Sequence, residues 1–338
     1  MKSKKVTTLD DSSLDRKNVL NNPFAIEQVQ KEVGIKGYEF EGAYRYTTDQ
    51  ILSFYEIDRR TLRRYIAEFS EELAASGYEV IKGERLARFK KQYVGDINVT
   101  NLSPQLGLFT FKAFLNIGML LKESEKARIL RGFILDIVID VVSKKAGGNT
   151  KYINQRDEEF LISLYVGQNY KKEFIEALKT YVASGNIKYP IYTNKIYISI
   201  FKENASKYKK ILSLSAKENV RDTLYAEVLT TILMYENGLA RKIRDLSKQR
   251  KRKLTIMEVD ALFKEFESDS TWEPLIESVR RKMSSRDYAL RGIEHPELSE
   301  YVYPLGPEEF ERFLGEKSKE LAKQIEDHKE VFKRLKNK

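Results

Sequence analysis

Four arginines fall within six residues, at Arg59, Arg60, Arg63 and Arg64, and the chemistry they offer is recognition rather than catalysis. A guanidinium is permanently charged and presents a planar fork of donors, so it can bond guanine O6 and N7 together or grip a phosphate. Thr61, lying among them, adds a hydroxyl able to reach a base edge or a phosphate. Leu62, Tyr65, Ile66, Phe69 and Leu73 recur at spacings of three and four, which predicts a helix over 59–76 with one buried stripe and the arginines on outward faces. The second helix of a helix-turn-helix has this need, because its first turns face base edges and phosphates. The competing reading is a solvated amphipathic helix whose arginines pair with Glu68, Glu71 and Glu72. Residues 41–93 hold ten basic and nine acidic residues, so net charge does not choose between the two. Segregation favours recognition: the arginines crowd the helix start and the acids gather toward its end. That reading requires guanidiniums neither tied up by carboxylates nor covered by another helix. Lys82 and Arg85, beside a short alternating stretch at 78–83, suit the wing of a winged variant and would lie near the nucleic-acid backbone.

A second basic run spans 241–253, with eight basic residues and one acid, and ends in Arg250, Lys251, Arg252 and Lys253. It supplies most of the chain's formal charge of +10, from 60 Lys and Arg against 50 Asp and Glu. Such a run can track phosphates and add salt-dependent, sequence-independent affinity. A solvated helix end with its linker fits the same residues, and both readings stay open. No aromatic residue interrupts the run, which disfavours stacking on single strands.

Residue types that carry catalysis are sparse. The chain has no cysteine, which excludes thiolate nucleophiles, thiolate metal sites and disulfides together. No GxxxxGK[ST] phosphate loop occurs. Of the two histidines, His295 sits in a helix-breaking Glu-His-Pro turn and His328 on a charged C-terminal stretch. Neither has a partner at metal-ligand spacing, and both read as surface residues. Asp136 and Asp140, one turn apart in an apolar helix, are expected to partner Arg128, Arg131 or a lysine in the core. No cofactor and no metal are expected.

The elements that must position the arginines follow from caps and periodicity. Residues 44–46 read as extended, Thr47 or Thr48 caps a first helix over 49–55, and Asp58 caps the second, which Gly77 ends. A strand at 78–83 and a helix at 84–92 follow. Residues 101–107 read as a loop, and 110–122 and 124–144 as two helices apolar around most of their circumference, implying a core or a subunit interface. Helical segments are expected at 157–165, 170–184, 193–201, 223–246, 256–267 and 272–283, with a long last helix from 307 to the end. These mark an N-terminal arm (1–40), a helix-turn-helix domain (41–98), an apolar helical layer (99–150), a helical domain ending in the basic run (151–250) and a C-terminal helical region (254–338). The apolar stretches 109–121 and 129–142 are broken by Lys112 or by Arg131, Asp136 and Asp140, short of the ~18 residues of a membrane span. The first residues lack the apolar core of a signal peptide, so a cytoplasmic location is expected.

Residues 109–137 pass through Met119-Leu120-Leu121, then Glu123-Ser124, then Ala127-Arg128 and Arg131. This segment resembles one in phage antirepressor-like proteins of the Bro-N, KilA-N and RhuM type. Residues 196–205, 219–224, 227–236 and Ala240 are similar to the C-terminal part of KilA-N-like proteins, so the resemblance covers roughly 41–245. It implies a DNA-binding regulator of phage or mobile-element origin, of a kind that sometimes accompanies toxin or defence genes. Similar RhuM-like proteins can be fused to Fic-type domains, but the signature HxFx[DE]GNGRxxR is absent here and AMP transfer is not implied.

The expected fold is mainly α, with an N-terminal (winged) helix-turn-helix followed by a multi-helix region with little β structure. The expected function is that of a regulator reading duplex DNA with Arg59, Arg60, Thr61, Arg63 and Arg64. It would act as a homodimer fixed by the helices at 110–122 and 124–142 and by the long last helix. A protein of another class fits as well, an antirepressor-like module that inactivates a repressor or a toxin, its helix-turn-helix being architectural. A nucleic-acid enzyme would show itself as acids converging on a histidine.

Overall fold

The computed structural model describes residues 9–93 and 103–330, which are mainly helical with one small antiparallel sheet. The chain divides into two compact units, 1–141 and 142–338. Among the described residues no helix is long and apolar enough to cross a membrane.

In the first unit α1 (Ser13–Asn21) and α2 (Pro23–Val33) share one residue at their junction. Asn22 closes α1 and caps α2, its side-chain oxygen accepting the Ala25 N–H, with Pro23 at the first helical position where no N–H is missed. The arm, expected to hold one short helix around 23–32, holds that helix and a second before it, and Arg16 anchors it by a bidentate bond to Glu72 (2.7 and 2.9 Å). Strands β1 (Tyr38–Phe40) and β2 (Ala43–Thr47) form a hairpin through Glu41 and Gly42, both at positive φ, as a two-residue turn of matching twist requires.

Thr47 opens α3 (Thr48–Tyr55) with a full capping box to Gln50, and Asp58 opens α4 (Arg59–Glu68) by accepting the Thr61 N–H. The single helix expected over 59–76 is broken at Phe69, whose backbone leaves the helical region (φ −114°, ψ 33°) before α5 (Ser70–Ala75). After Gly77 come β3 (Tyr78–Lys82) and α6 (Gly83–Gln92). Residues 94–102 lie outside the described residues.

The expected loop at 101–107 is corrected at its end: β4 (Gln105–Phe109) is a strand, and it lies between β2 and β3 in a sheet ordered β1-β2-β4-β3. It pairs with β3 over five residues, Tyr78 to Phe109 through Lys82 to Gln105. Pro104 and Gly107 look like turn residues, but Gly107 is crowding relief, since a Cβ there would sit 2.8 Å from the Thr48 hydroxyl. A boundary at 98 would thus divide one sheet. The helices α7 (Phe111–Leu120) and α8 (Glu125–Lys145) follow, and Phe114, Leu115, Ile117, Leu130 and Ile134 join Ile51, Tyr55, Leu62 and Tyr65 in one core.

In the second unit α9 (Phe160–Tyr181) is one continuous helix where two were expected, and α10 (Lys188–Phe201) takes Pro190 into its first turn, where a missing N–H costs nothing. After α11 (Ala205–Ile211), α12 (Ala226–Arg250) runs beside α9 in the same direction. Ser163 meets Thr230 near their starts (3.2 Å) and Val182 bridges Leu254 beyond their ends. Helices α13 (Ile256–Glu267) and α14 (Glu273–Arg286) complete the layer. The long last helix is not one piece, for α15 (Pro307–Leu314) stops at an extended Gly315 and α16 (Leu321–Asp327) stands apart.

Arg286, fully buried, holds α12, α14 and α15 together. It bonds Glu227 (2.9 Å) and Glu309 (2.9 Å) and stacks on the rings of Tyr225 and Phe313. Burial alone would raise the Glu227 carboxyl, but Arg286 and Lys282 outweigh it and hold it at about 2, below its ordinary 4.5. A carboxyl depressed on folding stabilises the fold fully above its unfolded value and loses that contribution as pH falls toward the folded one. The shift corresponds to about 3 kcal/mol. In acid titrations of the melting temperature, Glu227→Gln is expected to flatten the fall between pH 4.5 and about 2 relative to the unaltered chain. An unchanged slope would remove Glu227 from the acid response.

Candidate nucleic-acid interface

The arginine-bearing helix is positioned from behind by the connection between α7 and α8. The Tyr55 hydroxyl, at the end of α3, donates to the Phe114 carbonyl (2.8 Å), and the Ser124 hydroxyl donates back to the Tyr55 carbonyl (2.7 Å). On α4, the Tyr65 hydroxyl donates to Glu123 (2.6 Å) and accepts the Lys122 N–H (3.1 Å). Tyr55 approaches α7 so closely that a Cβ on Gly118 would lie 2.5 Å from its hydroxyl oxygen. Residues 121–124 thus hold both helices and the tight turn between them, Glu56 to Asp58, where Glu56 takes a left-handed conformation. Sequence reasoning missed Tyr55, Tyr65, Glu123 and Ser124 as a group; the signal available was the Glu-Ser turn at 123–124.

The four guanidiniums are exposed, and the structure divides them in two. Arg59 bonds Asp49 on α3 (2.5 Å) with its side chain 49% exposed, and Arg64 pairs with Glu123 at 56% exposure. Arg60 and Arg63 are exposed and, among the described residues, hydrogen-bonded to no carboxylate. The expected partners Glu68, Glu71 and Glu72 are not used: Glu72 is taken by Arg16 instead. Glu123 is held below the usual carboxylate range by the Tyr65 hydroxyl and then by Arg64, and Asp58 by the Thr61 N–H. The Thr61 hydroxyl also bonds Asp58 (3.1 Å), so this side chain serves the cap.

Beside the sheet, Lys82 is exposed at the end of β3. Arg85 lies inside a network, bonded to Glu79 (2.9 Å) and to Glu41 (2.5 Å), which also takes Arg88 (3.0 Å). These pairs tie the β1–β2 turn to β3 and α6.

In the second unit, Arg250 and Arg252 both bond Glu258 (2.8 and 2.7 Å), whose carboxyl is held at about 2, chiefly by Arg252. Lys251 is the left-handed residue that ends α12, and Lys253 reaches the Lys179 carbonyl (3.5 Å). Much of this basic run is a helix end with local partners.

Two expectations about titratable residues are corrected. Asp136 and Asp140 lie on the exposed side of α8, not in the core, and neither of the expected arginines reaches into the core for them: Arg131 serves the Gly118 and Leu121 carbonyls and Arg128 serves Glu125. His295 is buried, not a surface residue, and its Nε2 meets Asp287 at 2.7 Å. Burial would raise Asp287, but Arg291 and His295 outweigh it and hold it low, while Tyr225 donates to it (2.8 Å). This dyad is enclosed. The cleft of about 860 Å³ beside α14, lined among others by Glu277, Arg281, Lys282, Tyr301 and Tyr303, does not include it. Among the described residues no cluster of His, Asp and Glu could hold a metal ion.

Compared with known proteins, the chain matches no family model, no curated protein and no solved structure.

The clamp behind α4 is testable without a ligand. Gly118→Ala is expected to cost about 1–3 kcal/mol by overpacking against Tyr55. Tyr65→Phe is expected to cost about 1–2 kcal/mol by leaving the Lys122 N–H without its acceptor. Arg60→Ala and Arg63→Ala should stay within about 0.5 kcal/mol. Thermal melts rank the four, and a Gly118→Ala chain as stable as the parent would contradict the close packing.

Proposed function

We propose that the first unit binds duplex DNA, with α4 as the recognition helix of a winged helix-turn-helix. The observation that carries this reading is the state of Arg60 and Arg63. Both stand exposed on the first turns of α4, hydrogen-bonded to no carboxylate among the described residues, on a helix whose opposite face is packed against Tyr55 and α7. Unpaired guanidiniums on a rigid support suit phosphates and guanine edges, because no internal bond has to be broken before they engage.

Arg59 and Arg64 form a second rank. Exposed ion pairs of this kind contribute about 0–1 kcal/mol, so exchanging Asp49 or Glu123 for a phosphate costs little. The order β2, α3, α4, α5, β3, α6, β4, with β4 seated between β2 and β3, supports a winged arrangement in which α6 stands between the two wing strands. Lys82 would then stand at the base of the wing, while Arg85 would act within its network of carboxylates. In this reading the resemblance to antirepressor-like regulators concerns the α7–α8 support as much as the reading head. The basic run at 241–253 would add phosphate affinity through the residues that Glu258 does not hold.

Fluorescence anisotropy with a random-sequence duplex, titrated with salt, tests this. The unaltered chain is expected to bind with an affinity that falls steeply with salt. The double variant Arg60→Ala/Arg63→Ala should bind more weakly and lower the slope of log K against log salt by about 2, near 0.9 for each phosphate left unneutralised. Its melting temperature should not change. Absence of binding at low salt, or a double variant that binds like the parent, would refute the assignment.

A further inference from the structure

We infer that α8 is a self-association surface on which a second copy of this chain packs antiparallel, about a two-fold axis beside residue 134. This inference does not depend on DNA binding.

The inner face of α8 is buried through Ala127, Leu130, Ile134 and Ile137. Its outer face carries four exposed apolar side chains among Gly132, Asp136 and Asp140: Ile129 is 58% exposed, Phe133 36%, Leu135 43% and Ile139 67%. A helix apolar on both sides is normally buried on both. Isolated exposed apolar residues need no explanation, but a contiguous row marks an interface.

The pattern of that row identifies its occupant. Ile129, Gly132, Asp136 and Ile139 follow spacings of three, four and three along one seam, and Phe133 and Leu135 flank it. Rotation of the helix by half a turn about an axis beside residue 134 lays Ile129 on Ile139 and Gly132 against Asp136. Phe133 and Leu135 then meet their own counterparts beside the axis. On the Phe133 edge, Lys126 of one copy falls opposite Asp140 of the other, so charge as well as shape is self-complementary. Lys126 is 54% exposed, and its present partner Glu56 stands 3.5 Å away in an exposed pair that is cheap to exchange. Gly132 has open space where a Cβ would be, so the facing Asp136 side chain has room. A surface that maps onto itself under a two-fold is what an isologous homodimer needs, whereas a foreign partner imposes no such palindrome. One helix pair is small for an interface, so the dimer is expected to be reversible, in the micromolar range.

Sedimentation of the full chain across a wide concentration range is the first test, and a concentration-dependent dimer is expected. Ile129→Glu/Ile139→Glu should abolish it while leaving the melting temperature unchanged, since both residues are exposed. Lys126→Asp and Asp140→Lys should each weaken it, and the two together should restore it. The chain has no cysteine, so single cysteines report geometry without background. Phe133→Cys should cross-link to itself through a short bismaleimide. Ile129→Cys should not, because its two copies lie about 15 Å apart along the axis, but it should cross-link to Ile139→Cys in a mixture. A chain that stays monomeric, a dimer indifferent to the double glutamate variant, or efficient self-cross-linking at 129 would overturn the proposal.

Discussion

Three consecutive residues between α7 and α8 carry the constraint on which the first unit depends. Lys122 donates its backbone N–H to Tyr65, Glu123 accepts from Tyr65 and Arg64, and the Ser124 hydroxyl both donates to the Tyr55 carbonyl and accepts the Ala127 N–H that begins α8. Each such bond contributes about 1 kcal/mol net, and losing the Ser124 hydroxyl would leave the buried Tyr55 carbonyl unpaired at about 1–3 kcal/mol. The two tyrosines end α3 and sit in the middle of α4, so the connection fixes both helices and the angle between them. A short turn of three residues alone could not hold that angle. The exposed tip of α4 inherits its rigidity from a segment some 60 positions farther along the chain.

Charge is used in opposite ways in the two units. In the second unit guanidiniums are structural: Arg286 is sealed between Glu227, Glu309 and two aromatic rings, and Arg221 is buried against Glu236. Removing one partner from such a buried pair typically costs about 3–5 kcal/mol, so these residues are bound to the fold. On α4 the pairs are exposed and weak, and among the described residues Arg60 and Arg63 are bonded to no carboxylate. The same side chain is therefore a core element where it is buried, as at Arg286, Arg221 and Arg16, and a surface group where it is exposed, as on α4. Asp287 and His295 belong to the first category. Their geometry resembles half of a catalytic relay, but the dyad is enclosed and tied to Tyr225 and Arg291.

Local elements were legible in the sequence wherever caps and periodicity agreed. Thr47 and Asp58 cap where their hydroxyl and carboxylate predict, and Gly77, at positive φ, follows the end of α5. What the sequence concealed was long-range. Residues 105–109 carry a glycine and follow a proline, so they look like a loop until the crowding of Thr48 and Tyr78 around Gly107 is known. The bend at Phe69 has no glycine or proline to announce it. Pro190 reads as an interruption because its position within a first turn is not visible from neighbours alone. The arginines were legible as a group, but their division was not, since Asp49 lies ten residues away and Glu123 farther still. His295 looked exposed because Pro296 beside it signals a turn, and nothing local announces a buried partner eight residues earlier.

The same connection that orients α4 also begins α8, and this links the two surfaces of the first unit. Ser124 is shared between the Tyr55 carbonyl and the first turn of α8, and Arg131 on α8 reaches back to the Gly118 and Leu121 carbonyls at the end of α7. The inner face of α8 is packed into the core that holds Tyr55 and Tyr65. A force applied to the outer face of α8 is therefore transmitted to α4 through buried hydrogen bonds and close-packed side chains, with no flexible joint between them. Two copies held along α8 would carry their arginine-bearing tips at a fixed mutual spacing and orientation. Such a geometry reads half-sites by separation as well as by sequence. If both proposals hold, the apolar outer face of α8 would turn a single engagement of guanidiniums with phosphates into a paired and spaced one.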